Sequence, residues 1–348
     1  MLSNSNHRDR RSHLRSASSL RGFSLLEILV SLAILGVMMA AAATMVSQTQ
    51  NIWTSSWSRA SQFRDARLAF ELVTRNLSQS TLNTYWDYVK DSNSLPVDYQ
   101  RQSELHFFTA PIQEVISGHP AGTHGVFFQA ILGYSQEESF QQLDTLLNGR
   151  GYYIDFNEDD FLRPNFLSST DRQPEPRWRY RLMEYVPPSE NNLVYFANLD
   201  ARRNGTSMEA WFSEDLLDRY SRPVVENVVA MIISPQKSPD AESSADDVYS
   251  IAPSYRYDSR DSSKTDTHNL LPPLVRVTLV VLSEPSASRL QEQYGEEAPA
   301  DLLDPEWFRV ARDYEEDLAE LEEEFQNRDL QYRVFSTTVA IRSAKWSQ

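Results

Sequence analysis

A chain of 348 residues with 41% hydrophobic side chains has room for one large domain or two ordinary ones, and enough apolar material to exclude global disorder. It contains no cysteine, which excludes disulfide scaffolds, thiolate metal sites and cysteine nucleophiles together. The formal net charge of −16 is lopsided: the first 22 residues hold Arg8, Arg10, Arg11, Arg15 and Arg21 against Asp9, and the remainder, with 28 bases and 48 acids, argues against sequence-independent nucleic-acid binding.

The run from Phe23 to Val46 is FSLLEILVSLAILGVMMAAAATMV, and Glu27 is its only charge. As a helix it spans about 36 Å, enough for a bilayer core of about 30 Å. Basic residues stand only on its amino-terminal side, which predicts that this end stays cytoplasmic. The expectation is a single pass through the inner membrane with the carboxyl-terminal domain in the periplasm. A signal peptide cleaved near Ala40 to Ala43 and a plain uncleaved anchor are the competing readings. Neither accounts for a carboxylate five residues into the apolar run, where an unpaired charge costs several kcal/mol.

Arg21-Gly22-Phe23-Ser24-Leu25-Leu26-Glu27 resembles the type IV prepilin motif shared by pilins and type II secretion pseudopilins. The resemblance implies that a prepilin peptidase cuts after Gly22 and methylates the new amino terminus at Phe23. It implies that Glu27, at the fifth mature position, pairs with an amino-terminal ammonium during assembly. The implied partners are the peptidase, other pilin or pseudopilin subunits and the inner membrane. The implied function is that of a non-catalytic subunit of a periplasmic or surface filament, in a type II secretion or type IV pilus-like system. The alternative is a membrane-anchored extracytoplasmic binding protein or hydrolase, which needs a convergent polar pocket that no motif marks.

On this reading residues 1–22 are a basic leader, 23–46 the transmembrane half of a long helix and 47–80 its amphipathic half. Trp53, Trp57, Ala60, Phe63, Ala66, Phe70, Val73 and Leu77 recur at steps of three or four and predict a core stripe. Arg59, Arg64, Arg67, Glu71 and Arg75 fall largely elsewhere around the helix, and no proline interrupts before Pro96. Residues 81–348 form the extracytoplasmic domain, with short β-rich runs at Leu105–Thr109, Val126–Ile131, Tyr152–Phe156, Trp178–Val186, Val224–Ser234, Leu274–Leu282 and Tyr332–Ile341. The alternation in Arg179-Tyr180-Arg181-Leu182-Met183-Glu184 predicts one buried and one solvated face. The fold class expected is α+β, a long helix packed on antiparallel sheet.

Two insertions interrupt that pattern. Residues 235–273, rich in Ser, Asp and Pro, predict a long, partly mobile loop. Residues 284–331 contain an amphipathic helix on the stripe Trp307, Ala311, Tyr314, Leu318, Leu321 and Phe325, laid on its own domain or docking a partner. Tyr180 to Tyr185, Leu271 to Val277 and Arg333 to Arg342 resemble a J-type minor pseudopilin domain, much enlarged. With the terminal Ala344-Lys345-Trp346-Ser347 they resemble more closely the prepilin-like "cassette protein C" group of Verrucomicrobia.

Few residues suggest other chemistry. His119-Pro120-Ala121-Gly122-Thr123-His124 is the one close histidine pair; it lacks helical metal-ligand spacing and reads as a surface turn. Asp155-Phe156-Asn157-Glu158-Asp159-Asp160 opens with the Asp-x-Asn-x-Asp order of a calcium loop, making Asp155, Asn157 and Asp159 the candidate ligands. Position six is Asp160 instead of glycine and position twelve is Phe166 instead of glutamate, and a solvated acidic turn is the other reading. No further cofactor is implied.

Overall fold

The structure is a computed structural model that describes residues 24–91, 93–140, 142–160, 163, 175–204, 206–239 and 245–345. The leader, Gly22, Phe23, Phe166 and Trp346-Ser347 lie outside the described residues. The chain divides into two compact units, Met1–Trp57 and Ser58–Gln348.

The first unit is helical where described. Helix α1 (Leu25–Leu77) opens on Leu25–Gln50, a stretch of 26 residues with mean hydropathy 2.4 and no buried part. Among the described residues it is the one helix long and apolar enough to cross a membrane. Leu26, Leu29, Ile34, Val37, Met38 and Val46 are all exposed, so apolar side chains surround the helix instead of forming one stripe. Water does not solvate such a helix well; lipid or other helices do. Ser31, Thr44 and Thr49 return their hydroxyls to the carbonyls of Glu27, Ala41 and Met45, so these polar groups are satisfied within the helix.

In the second unit the rest of α1 changes character. Ala66, Ala69, Val73 and Leu77 are buried and Phe63 and Phe70 half-buried, while Arg64, Arg67, Glu71 and Arg75 are exposed. The expected stripe therefore holds from Phe63 onward. Trp53, in the first unit, is exposed, and the side chains of Trp57 and Ala60 lie outside the described residues.

After α1 comes a hairpin, β1 (Tyr85–Lys90) and β2 (Pro96–Gln102), which no sequence run suggested. A six-stranded antiparallel sheet follows, built from β3 (Phe108–Pro111), β4 (His124–Ile131), β5 (Leu147–Asn157), β6 (Arg179–Tyr185) and, after helices α2 (Val194–Asn204) and α3 (Glu214–Tyr220), β7 (Ser221–Glu226). Strand β8 (Val228–Gln236) belongs to a second sheet, and the short β9 (Tyr257–Asp258) closes the first, in the order β7-β6-β5-β4-β3-β9. Strand β10 (Leu274–Leu282), helices α4 (Glu284–Tyr294) and α5 (Tyr314–Asn327) and β11 (Tyr332–Ala340) complete the chain, with β11-β10-β8 as the second sheet. The architecture is α+β, as expected.

One core gathers the α1 residues Ala66 to Leu77, one face of the large sheet, strands β8 and β10, Leu290 of α4 and the buried residues of α5. The other face of the large sheet is covered by a second core of Phe108, Phe127, Tyr153, Met183, Trp211 and Phe212. Phe127 stacks on Phe212 at 4.1 Å, and Gly151 across the strand leaves the room its ring needs. Burying side chains of this size contributes about 1.5–3 kcal/mol each.

Three expectations are corrected. Strand β6 has no solvated face: every residue is buried, because the sheet carries a core on each side. Its charges are compensated instead, Arg181 by Glu226 at 3.1 Å and Arg179 by Glu284 at 3.0 Å. The run Val224–Ser234 is two strands, since Asn227 takes a φ of 65° and sends the chain from one sheet to the other. Asparagine tolerates that left-handed conformation better than most residues. The segment 235–273 is not an exposed loop where described. Its Ser, Asp and Pro residues do form turns, but Ile251, Ala252, Tyr255, Tyr257, Leu270 and Leu271 alternate with them and enter the core.

In the segment 284–331, α5 starts at Tyr314, after a 3-10 turn at Ala311–Asp313, so Trp307 and Ala311 precede the helix. Tyr314, Leu321 and Phe325 bury into the core while Glu315, Glu316, Glu320 and Glu323 face outward. Helix α4 went unnoticed in the sequence; Ser283 caps it, accepting from the Ser286 amide, and Pro285 sits in its first turn.

Candidate processing and assembly site

The amino-terminal site is built on one helix end. The Ile28 amide donates to the Ser24 carbonyl at 3.1 Å, which makes Ser24 the N-cap residue and Glu27 the third residue of the helix. Ser-x-x-Glu is the spacing of a capping box, in which serine and glutamate satisfy each other's amide nitrogens. A carboxylate in the first turn also complements the positive end of the helix dipole. Glu27 thus stands where both a capping box and the helix dipole favour a carboxylate. It is exposed, and it is the only charge in Leu25–Gln50.

The family model described as Prokaryotic N-terminal methylation motif matches residues 18–43. The amino terminus is of prepilin type. The match contains Gly22, Phe23 and Glu27 and supports a type IV pilin-like family, processed by prepilin peptidase and assembled with other pilin subunits. The apolar helix that follows fits a single-pass membrane anchor. No curated protein and no solved structure matches the chain.

The other candidates lie in the second unit. Asp155 sits within strand β5, not on a solvated turn; its carboxylate accepts from Asn157 at 2.8 Å and faces His119 Nδ1 at 3.3 Å. Burial opposes its ionisation, but His119, Asn157 and the Phe156 amide outweigh that and hold the carboxyl below the usual range. The Asn157 side-chain oxygen accepts from the buried Arg181. Asp159 accepts from Arg163 at 2.8 Å and from the Arg177 amide, and these overcome the burial that would otherwise raise it. The three candidate calcium ligands are each held by a different cationic or amide partner. Among the described residues no group of three or more His, Asp or Glu side chains gathers as a metal site.

The histidine pair is not a surface turn. His124 is fully buried at the start of β4, with Nε2 donating to the Phe308 carbonyl at 3.0 Å and Nδ1 accepting from the Ile233 amide at 3.0 Å. Burial pushes its imidazole down to about 4. It is a neutral bridge from the large sheet to β8 and the Phe308 segment. His119 is held between Asp155 and the edge of Tyr153.

Sequence reasoning missed a third histidine site. His106, fully buried, bonds Asp258 through Nε2 at 2.8 Å and accepts from the Trp211 indole through Nδ1 at 3.0 Å. Because an indole only donates, the network assigns the proton to Nε2. Burial raises and the His106 bond lowers the Asp258 carboxyl, which ends below the usual range. The trio clamps the segment before β3 to β9 and to the turn that carries Trp211. Its members lie 105 and 152 residues apart, so no local motif announces it.

Proposed function

We propose that this protein is a non-catalytic minor pilin- or pseudopilin-like subunit, cut after Gly22, methylated at Phe23 and assembled through its apolar helix into a filament. The carrying observation is the methylation motif at residues 18–43 set directly on a helix whose apolar side chains face outward all round. A helix of that kind is inserted in lipid before assembly and exchanges lipid for neighbouring helices within a filament. Such motifs typically mark structural subunits, which supports the non-catalytic reading.

Glu27 supplies the registration chemistry. In lipid a carboxylate is expensive. Cleavage after Gly22 creates an ammonium at Phe23, about 6 Å along the helix at 1.5 Å per residue. Pairing with that group, or with the amino terminus of a neighbour, offsets the cost and favours one axial stagger over others. The leader arginines support an outward, periplasmic second unit. The J-type and cassette-C resemblance rests on runs that fall on β6, on the entry to and first half of β10, and on β11, which supports a minor pseudopilin-class role.

The native chain has no cysteine, so single cysteines placed along 25–50 report contacts without background. Assembly predicts disulfide crosslinks at a restricted set of positions that depend on the peptidase and on the filament system. Crosslinking that is uniform along the helix, or unchanged without the peptidase, contradicts the reading.

A further inference from the structure

We propose that the second unit binds a neutral glycan in a pocket beside the paired ends of β5 and β6, an inference that rests on this unit alone and not on the filament reading. The pocket encloses about 450 Å³, within the roughly 300–1,000 Å³ of ordinary ligand sites. One wall is aromatic. Phe156 and Tyr180 are register partners on the two strands and meet edge to face at 4.9 Å. Phe156 also stacks on Trp178 at 5.9 Å and 26°.

The opposite wall is the connection after α4. Gly295 leaves the helix with a φ of 70°, a conformation other residues rarely adopt, and Glu296, Ala298 and Pro299 follow it along the pocket. Polar groups enter from a third side. His119 lines the pocket with its ring fixed by Asp155, and Gln113, which anchors the His119 carbonyl at 3.0 Å, lies next to it.

These features select the ligand. A flat ring with apolar C–H faces and a rim of hydroxyls matches a stacked aromatic wall bordered by donors and acceptors. Among the described residues no lysine or arginine lines the pocket, and Glu296 does, which disfavours phosphorylated or carboxylated ligands. A hydrocarbon would desolvate Gln113 and Glu296 with no partner in return, each at a cost. A cation suits Glu296 but leaves the second N–H of the Gln113 amide without an acceptor. A rim of hydroxyls serves both.

The test is calorimetric titration of the full-length protein in detergent with cellohexaose, maltohexaose and chitohexaose, with choline and decaproline as comparison probes. The expected result is saturable binding of at least one oligosaccharide, unchanged by 0.5 M salt. Trp178→Ala should weaken it at least tenfold, and Ala298→Trp, an exposed position on the facing wall, should block it while leaving the aromatic wall intact. Thermal melts of both variants verify folding, and Ala298→Trp decides the matter if Trp178→Ala is unfolded. Failure of all three oligosaccharides to bind, binding that survives Ala298→Trp, or binding of choline or decaproline alone overturns the proposal.

Discussion

His124 offers a quantitative test of how the two sheets are joined. Its neutral ring uses both nitrogens, donating to Phe308 and accepting from Ile233. Burial disfavours the charged ring at this fully buried site and lowers the folded-state pKa to about 4 from 6.5, outweighing the Phe308 and Ile233 backbone contacts, which raise it. Between those values the unfolded chain binds a proton and the native chain does not, so stability is complete above pH 6.5 and declines as the pH drops toward 4. The gap corresponds to about 3 kcal/mol in all, of which about 2 kcal/mol is lost between pH 7 and pH 5. The paired carboxylates Asp155, Asp159, Asp258 and Glu284 have lowered folded values, so their contribution is lost only at more acid pH. His268 is also lowered, by burial first and then by Arg260 and Arg101, and adds to the same limb. His124→Gln separates the two, because glutamine offers an uncharged donor and acceptor. Urea unfolding of the full chain in detergent, followed by tryptophan fluorescence at pH 5, 6 and 7, should show the wild type losing about 2 kcal/mol more than the variant. Equal pH slopes for the two proteins would refute the neutral-bridge assignment.

Asn227 holds the turn between β7 and β8 with φ 65°, donates its amide to the Tyr180 carbonyl at 2.7 Å and its side-chain nitrogen to Glu284 at 2.6 Å. Asn227→Gly should cost about 2 kcal/mol for the lost bond to a carboxylate. Asn227→Ala should cost about 1 kcal/mol more, because alanine also resists the left-handed backbone; the same urea titrations measure both, and an alanine variant as stable as the glycine one would contradict the account. At the membrane end, Glu27→Gln keeps the capping-box spacing and removes the charge, whereas Glu27→Ala removes both. Both variants should insert, but the glutamine variant should already lose the position-specific helix crosslinks; crosslinks lost only in the alanine variant would assign Glu27 to helix capping instead of register.

Local chemistry was the legible part. The apolar run with its single glutamate, the helical spacing from Phe63 to Leu77 and the β-branched runs of β4, β8, β10 and β11 each carry their signal within a few neighbouring residues. What escaped depends on partners far along the chain. Strand β6 looked half-solvated because Arg179 and Arg181 are charged, and their acids, Glu284 and Glu226, lie 105 and 45 residues away. The turns of 235–273 masked its core residues, since polar punctuation dominates any window that holds only a few apolar side chains. The hairpin β1–β2 exposes Trp86, Tyr88 and Tyr99 and buries little, so it lacks the alternation that marks a half-buried strand. The histidines misled for a related reason: a buried imidazole needs two partners, and neither Phe308 nor Asp258 is near its histidine in sequence.

The central claim concerns the amino terminus, and one mass spectrum addresses it. Protein isolated from membranes of the native host and digested should yield an amino-terminal peptide that begins at Phe23 and carries one added methyl group. In a strain lacking the prepilin peptidase the same peptide should be absent and the leader retained. A terminus near Ala43, or a full-length chain beginning at Met1 in the wild-type strain, would contradict the account.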